Sequence, residues 1–340
     1  MLSYRRPHPN EVTGVQLSQD ALRRLQEFHI AWLASRAGGR RAMLRECSLA
    51  GCDLSHMNFS EAVLLDCDFT GVEARGAKFT GAILRSATFD RADLTGADFM
   101  RADLRGASFL DAHLVDAALD RTDLRRDFDH TESSGSSFKG ADLTRVNMSE
   151  AKLRSADFSG AVLRSTNMKE ADLRSARFRH AEIEDVIVTG AMMADADFSG
   201  ALIAHELSHR IDAFRIRPPE LRHLNAAHLS EVVTAHGIWV ASQGAEGMRA
   251  DFSGTDLTAV DLSGSNLCLA NLSGAMLAGA QLKGALLIAA DLRDANLTRA
   301  NLTEADLRGA NFQGAYHRDA DLTNIRIGTV PGLGLTTRGL

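Results

Sequence analysis

Proline, tryptophan and cysteine are scarce in this chain of 340 residues, which contains five prolines, two tryptophans and four cysteines. Two long stretches, residues 43–204 and 250–328, have neither proline nor tryptophan. Since proline lacks the N–H that stacked strands use as a donor, these stretches are candidates for β structure. The prolines and tryptophans outside them are Pro7, Pro9, Trp32, Pro218, Pro219, Trp239 and Pro331.

Several functional signatures are also missing. The sequence has no phosphate-binding glycine loop, no nucleophile motif in a strand-turn-helix setting and no paired Cys-x-x-Cys, and no apolar run is long enough to cross a bilayer. Four cysteines without a secretory signal favour a reducing cytoplasm. We therefore expect a cytoplasmic protein that is not an enzyme, carries no cofactor and does not associate with membranes.

A five-residue period dominates both stretches. Residues 92–109 read ADLTGADFMRADLRGASF, with leucine or phenylalanine at every fifth position and alanine two residues earlier. We call the large residue the centre of its repeat. Helices repeat near 3.6 residues and strands near 2, so neither explains the pattern. A short fixed period is typical of repeat architectures, in which each unit buries its apolar face by stacking on the next.

A second period of twenty residues indicates the size of the coil. The centres Phe138, Phe158, Phe178 and Phe198 recur at this spacing. Four pentapeptides therefore make one coil, and phenylalanine is predicted to stack on phenylalanine along one face. Successive coils should pair at the spacing of neighbouring strands, about 4.8 Å.

The motif Ala-Asp/Asn-Leu-x-x, as in Ala92-Asp93-Leu94 and Ala300-Asn301-Leu302, resembles that of the pentapeptide-repeat family. The resemblance implies an all-β solenoid, a right-handed quadrilateral β-helix, in two arrays. We expect an N-terminal segment at 1–42, a first β-helix at 43–204, a linker at 205–249, a second β-helix at 250–328 and a tail at 329–340. Because proteins with different roles share this scaffold, the resemblance implies little about function.

The centres change register near residue 125. The segment 125–137 is polar and rich in serine, so it could be looped out of the helix as a binding loop. Alternatively, one coil has nineteen residues. We favour the shorter coil, which continues the column of Phe99 and Leu119 into Phe138, and the column of Phe109 through Phe128.

A duplicated segment precedes the two stretches. His29-Ile-Ala-Trp32 and His236-Gly-Ile-Trp239 are each followed by glycine, a basic residue and the first repeat. The sequence predicts an amphipathic helix in each copy, at about 18–35 and 230–242, with Ser18 and Ser230 as N-caps.

These helices are predicted to cap the open ends of the β-helices, whose apolar cores and unpaired strand edges would otherwise be exposed. In the alternative, the His and Trp residues of both copies form a docking surface for a partner. The apolar stripe of the first helix is predicted to consist of Leu17, Ala21, Leu25, Phe28 and Trp32.

One outward column is basic. The residues that follow successive centres at the period of a coil are Arg45, Leu65, Arg85, Arg105 and Arg125. These arginines either pair with neighbouring aspartates for solubility or form a binding stripe for an acidic partner. With a formal net charge of −6, direct binding to nucleic acid is not expected.

The segment His205-Glu206-Leu-Ser-His209 matches H-E-x-x-H, in which two histidines on one helical face bind zinc and the glutamate acts as general base. Ala201 and Ile203 still follow the pentapeptide period, so the first histidine lies at or just past the last coil. No spacing indicates a third ligand, which a catalytic zinc requires. We therefore expect no metal, and keep His205, Glu206 and His209 as candidate ligands.

We conclude from the sequence that the chain is a bacterial-type, non-enzymatic scaffold for protein-protein interaction, with an unidentified protein partner. The first alternative follows from the family resemblance, since some members mimic DNA and modulate DNA gyrase or topoisomerase IV. The second is a zinc-dependent hydrolase built on His205, Glu206 and His209. Because no helix follows the last coil near Ile327, its apolar end lacks a cover, and we expect a homodimer through the C-terminal end.

Overall fold

The computed structural model describes residues 11–127, 135–203, 221–331 and 334–340. The chain divides into two compact units, residues 1–217 and 218–340, and each unit has its own apolar core. In both units, residues twenty apart pair in parallel, as in Asp53 with Glu73 and Asp251 with Asn271. The predicted coil of four pentapeptides is thus confirmed, and each unit is a β-helix.

Most rungs of the helix are single bridges, and a few are short strands. The first unit contains β1 (Val12–Thr13), helix α1 (Gln19–Leu33), β2 (Met43–Arg45), β3 (Val63–Leu65), β4 (Val162–Arg164), β5 (Glu182–Glu184) and β6 (Leu202–Ile203). The second contains β7 (Arg222–His223), helix α2 (Ala226–Ala241) and β8 (Thr255–Asp256). These strands pair in parallel, in the sheets β1-β2-β3, β4-β5-β6 and β7-β8.

The pentapeptide has a local physical explanation. The centre and the small residue two positions earlier point inward, and the aspartate or asparagine between them points outward. The Asp53 carboxylate, for example, accepts a hydrogen bond from the Ser55 N–H at 2.8 Å and so closes the turn. The second residue after the centre has a positive φ, as at Gly71 (63°), where glycine meets no Cβ penalty.

Stacked aromatic rings fill one side of the core in the first unit. Phe69, Phe89 and Phe109 lie nearly parallel, with ring centroids 4.6 and 5.2 Å apart. Further along the chain, Phe138 and Phe158 stack at 5.0 Å. The predicted stacking of phenylalanine on phenylalanine is therefore confirmed.

The favoured register at residue 125 was wrong. Ser108 pairs with Ser137, and Phe109 stacks on Phe138 at 4.9 Å, a step of twenty-nine residues instead of nineteen. The step is nine residues longer than the regular twenty, which agrees with the alternative of an insertion in this segment. The physical reason is the residue two positions before each candidate centre, since that residue points into the core. With Phe128 as the centre this residue would be Arg126, whereas with Phe138 it is Ser136, which is fully buried. Phe128 itself lies outside the described residues.

Helix α1 begins as predicted, with the Ser18 hydroxyl accepting a hydrogen bond from the Ala21 N–H at 3.3 Å. The predicted apolar stripe was partly wrong, because the buried side chains are Leu22 and His29. Phe28 is exposed instead and lies under the Arg40 guanidinium, 5.6 Å from its ring centroid. The helix thus presents an apolar residue and an imidazole to the first coil.

Helix α2 begins earlier than predicted. Its N-cap is Asn225, whose side chain accepts from the His228 N–H at 2.8 Å, and Ser230 lies inside the helix. Asparagine caps a helix as well as serine does, and the alanines that follow it are strong helix formers, so the additional turn is stable.

The C-terminal tail is not a free extension of the second unit. Arg338 pairs with Asn311 in the ladder, and Thr329 forms an antiparallel bridge with Thr336. The tail therefore covers part of the last coil, contrary to the expectation that it would be uncovered. Ile327 remains 57% exposed.

Candidate functional site

The arginine column of the first unit is longer than the sequence indicated. Because of the twenty-nine-residue step, Asp123 pairs with Lys152, which pairs with Asp172. Arg154 and Arg174 thereby follow Arg125 in the column, which the predicted register had hidden. Arg126 is the sequence signal that would have revealed Arg154 and Arg174. A nineteen-residue step would place this charged side chain in the core, so the step had to be longer.

Three arginines of the column make paired hydrogen bonds to an aspartate of the same repeat. Nε and an Nη atom of Arg105 donate to the Asp103 carboxylate at 2.8 and 2.7 Å. Arg125 with Asp123 and Arg174 with Asp172 repeat this geometry at 2.7 to 2.9 Å. In Asp-Leu-Arg the leucine points inward, so its two neighbours emerge side by side on the outer face. This tripeptide is therefore a sequence signal for a planar ion pair.

Electrostatics keep these pairs ionised. The hydrogen bonds from Arg174 lower the pKa of the Asp172 carboxyl below its usual value, although burial opposes the shift. For Asp123, burial raises the pKa and the hydrogen bonds and charge of Arg125 outweigh it, so the pKa is again lowered. The column therefore carries full charges of both signs at neutral pH.

The other two predicted arginines also have acidic neighbours. Arg45 donates to Glu11 at 2.8 Å and lies 3.7 Å from Asp66. Arg85 lies 4.0 Å from the Asp103 carboxylate, which it shares with Arg105. The hypothesis that arginines pair with aspartates thus describes the contacts of Arg45, Arg85, Arg105 and Arg125.

The charge on this side of the unit is nevertheless basic. We call the outward residues of the seven coils from Met43 to Ser175 on this side the arginine face. It has eight basic and five acidic residues. They are Arg45, Arg85, Arg105, Arg125, Arg126, Lys152, Arg154 and Arg174, with Glu46, Asp66, Asp103, Asp123 and Asp172.

Two pentapeptides further along each coil, the outward residues are acidic. We call this side, from Asp53 to Asp185, the acidic face, and it has eight acidic and three basic residues. The acidic members are Asp53, Glu73, Asp93, Asp116, Asp142, Glu182, Glu184 and Asp185. The unit thus carries opposite net charges on opposite sides, which total composition conceals.

The predicted His and Trp candidates lie between each helix and its first coil. The Nδ1 atom of His29 accepts from the Ala42 N–H at 3.1 Å, and Nε2 lies 2.9 Å from the Ser60 carbonyl oxygen. Its ring stacks on Trp32 and Phe59, with centroids 5.5 and 6.1 Å apart. Since His29 is fully buried, it joins the helix to the coil and is not available to a partner.

The second unit repeats this junction. His236 is fully buried, accepts from the Ala250 N–H at 3.0 Å through Nδ1, and stacks on Trp239 at 5.6 Å. Burial lowers the pKa of both histidines, and a nearby arginine, Arg41 or Arg249, lowers it further against an opposing backbone hydrogen bond. Each imidazole is therefore neutral at pH 7, as its acceptor role at Nδ1 requires.

The candidate zinc ligands His205, Glu206 and His209 lie outside the described residues. In the part of the chain that the structure describes, no three His, Cys, Asp or Glu side chains are arranged to hold a metal ion. Among the nearest described histidines, His228 lies 3.4 Å from Glu231 and His223 lies 3.4 Å from Asp256.

The described residues also bear on the membrane and thiol expectations. Within them, no helix has the length and apolarity needed to cross a membrane. Cys47, Cys52 and Cys67 are buried and free, and Cys268 is free and half-buried. Burial raises the pKa of the Cys67 thiol to about 12, so this group is unreactive at neutral pH.

Comparison with solved structures finds proteins of the same repeat type. HetL, a pentapeptide repeat protein involved in heterocyst differentiation regulation from the cyanobacterium Nostoc sp. strain PCC 7120, is 23% identical, with 91% of this chain and 98% of HetL covered, at a TM-score of 0.29. QnrB1, a plasmid-mediated fluoroquinolone resistance protein, is 14% identical, with 61% and 97% covered and a TM-score of 0.31. At such TM-scores, these structures support no argument about geometry or role.

No curated protein matches the chain significantly. Family models, in contrast, match most of it. A pentapeptide repeat region model matches residues 42–119, and a model of eight pentapeptide repeats matches 127–160, 156–191, 250–287 and 285–324. With these matches and the twenty-residue ladders of both units, the chain belongs to the pentapeptide-repeat family.

Proposed function

We propose that this protein is a non-enzymatic, cytoplasmic scaffold of bacterial type that presents a rigid β-helical surface to a protein partner. In this proposal each β-helix is right-handed and quadrilateral, and the two arrays, 43–204 and 250–328, are each preceded by a capping helix. The buried His29 and His236 support the capping role, because each joins its helix to the first coil.

The observation that carries the proposal is the arginine face. Six arginines follow centres of seven successive coils, so charged groups recur along it at about 4.8 Å per coil. Side chains of the column keep donors open to solvent beside their aspartates, with Arg125 and Arg174 43% and 41% exposed. A protein surface with carboxylates at a comparable spacing would complement this face.

Charge favours a protein partner over nucleic acid. The whole chain has a net charge of −6, and the acidic face would repel a polyphosphate that approaches the unit. An acidic protein patch can contact the arginine face alone, without bringing further negative charge near the acidic face.

The proposal is tested by removing charge from the arginine face and, separately, from another surface. The test variant is Arg105→Gln with Arg125→Gln and Arg174→Gln. The control, Arg121→Gln with Arg145→Gln, removes arginines that are 56% exposed and also paired with carboxylates. Partners are captured from native-host lysate by cross-linking at low and high salt. We expect proteins that are retained by the control, lost with the test variant and released by salt; identical sets for both variants would contradict the proposal.

A second candidate function is modulation of DNA gyrase or topoisomerase IV by DNA mimicry, and the acidic face is the observation that favours it. A supercoiling assay with and without a quinolone tests this candidate. Inhibition or protection at micromolar protein, lost when Asp53 and Asp93 are changed to Asn, would support it, and no effect would remove it.

The remote alternative, a zinc hydrolase at His205, Glu206 and His209, is tested by metal analysis of the purified chain beside a His205→Ala variant. A zinc content that depends on His205 would support it. Zinc-free protein after growth with added zinc would remove it.

A further inference from the structure

The two units can be compared residue by residue, because their helix-coil junctions are built alike. His29 and His236 accept hydrogen bonds from Ala42 and Ala250, the inward residues that open the first coils. Nε of Arg41 donates to the Glu61 carbonyl oxygen at 2.5 Å, and Nε of Arg249 donates to that of Leu269 at 2.6 Å. Ala42 therefore corresponds to Ala250, and later positions follow in step.

The second unit has an apolar surface beside this junction. We call Met248, Cys268, Leu269, Leu286 and Ile288 the apolar patch. Met248 is 71% exposed, Leu269 41% and Leu286 39%, while Cys268 and Ile288 are half-buried. The apolar patch is thus open to solvent.

The five residues are contiguous. The Leu269 N–H donates to the Ile288 carbonyl oxygen at 2.8 Å, which joins two successive coils. Leu286 and Ile288 flank the inward Leu287, so both emerge on the outer face. Met248 precedes Arg249, whose guanidinium binds the Leu269 carbonyl oxygen.

The first unit has polar residues at all five corresponding positions, namely Arg40, Ser60, Glu61, Lys78 and Thr80. The same backbone, with the same junction, therefore forms without apolar residues there. Because a contiguous exposed apolar surface usually marks an interaction site, the difference indicates a role for the apolar patch that the first unit lacks.

Arginines border the apolar patch at both ends. Arg249 lies at the end beside helix α2. At the other end, Arg308 lies one coil after Ile288, and Arg326 lies one coil after Asp306. Asp306 is nearly buried and bound by Arg308 at 2.7 Å. Asp251 and Asp291 also interact with Arg249, and each has a second arginine partner, Arg222 and Arg293 respectively, so five arginines face three carboxylates. The border therefore has a net positive charge.

We propose that the apolar patch docks a short segment of another protein whose apolar side chains are flanked by carboxylates. The apolar side chains would cover Met248, Leu269 and Leu286, and the carboxylates would meet the arginines at the border. A second copy of the chain is a poorer fit, because five residues are far fewer than the roughly 20–30 per side of a stable interface. The proposal does not depend on the arginine face of the first unit.

The test uses the full chain, labelled at the Met, Leu and Ile methyl groups, and three synthetic peptides. One peptide has leucine and phenylalanine flanked by glutamates, the second has lysines in place of the glutamates, and the third has serines in place of the apolar residues. The test variant, Met248→Arg with Leu269→Glu and Leu286→Lys, carries the first unit's own residues. The matched control is Leu110→Ser, which changes an exposed leucine of the first unit.

We expect the glutamate-flanked peptide to shift the methyl resonances of Met248, Leu269, Leu286 and Ile288. Its affinity should fall by about tenfold or more in the test variant and stay unchanged in the control. Leu286→Lys alone should give an intermediate loss, which checks the result if the triple variant folds poorly.

Three results would overturn the proposal. They are equal binding of the lysine-flanked or serine-substituted peptide, no methyl shift at millimolar peptide, and a dimer of the free chain that the triple variant abolishes. The last result would make the second copy the occupant.

Discussion

Replacing Phe138 by alanine tests the register of the first unit. Phe138 is fully buried and lies between Phe109 and Phe158, whose ring centroids are 4.9 and 5.0 Å away and whose planes are tilted by 2° and 4°. The matched change is Phe128→Ala, at the residue that a nineteen-residue coil would place in the core.

The expected loss follows from this packing. A buried Phe→Ala substitution costs about 3–5 kcal/mol through lost transfer energy and the cavity left behind. Each stacked pair contributes about 0.5–1.5 kcal/mol of favourable geometry, and Phe138 has two, so the upper part of the range applies. We expect a loss of about 4–5 kcal/mol, a decrease of roughly three orders of magnitude in the folded-to-unfolded ratio of the first unit.

Urea denaturation followed by far-UV circular dichroism measures both variants beside the unchanged chain, and hydrogen exchange at the Phe109 and Phe158 amides localises the effect. Phe128→Ala should cost less than about 1 kcal/mol, because Phe138 occupies the core position that stacks on Phe109. Equal losses from the two variants would restore the nineteen-residue step. A loss below about 1 kcal/mol for Phe138→Ala would refute the packing argument itself.

Three further predictions concern the junctions and the C-terminal end. Burial lowers the folded-state pKa of His29 below the unfolded value near 6.5, so the unfolded chain takes up the proton first as the pH falls. The stabilisation by neutral His29 is therefore complete above about pH 6.5 and decreases at lower pH. Replacing His29 by glutamine should reduce the difference between the urea midpoints at pH 7.5 and 5.5. A Cβ on Gly39 would lie 2.4 Å from the Trp32 backbone nitrogen, so Gly39→Ala should destabilise the protein by about 1–3 kcal/mol. A Cβ on Gly237, inside helix α2, would meet nothing within 4 Å, so Gly237→Ala should stabilise the protein by about 0.5–1 kcal/mol. Thermal unfolding measures both changes. We also propose that the chain forms a homodimer through its C-terminal end, with Ile327, which is 57% exposed, at its centre. Light scattering should then show a dimer that Ile327→Asp converts to monomer, and a monomeric unchanged chain would contradict this proposal.

Features that depend on neighbouring residues were predictable from the sequence. The centre, the small inward residue and the turn aspartate interact within one pentapeptide, as Asp53 and Ser55 show, so the repeat is legible without a structure. The twenty-residue column of phenylalanines is equally direct, because identical residues stack only at the coil period. The start of helix α1 at Ser18 depends on a local side-chain hydrogen bond and was also predicted correctly.

Features that depend on contacts between distant residues were not. Phe128 and Phe138 both suited the column by type, and the choice between them depended on Arg126 or Ser136 entering the core. That choice also decided whether Arg154 and Arg174 joined Arg125. The apolar patch was overlooked for a related reason, since its residues became comparable with their polar counterparts only after the two junctions were matched.

The sequence by itself determined that this chain is a pentapeptide β-helix with duplicated His-Trp segments, because the repeat and its turn are local and recur often enough to be unambiguous. The tertiary structure decided which coil stacks on which, and therefore which outward residues share a face. Across the twenty-nine-residue step, the stacking order depends on which side chain fits into the closed core. No local sequence pattern reports that fit. The full arginine face is a consequence of this order, whereas the apolar patch emerged from the match between the two junctions.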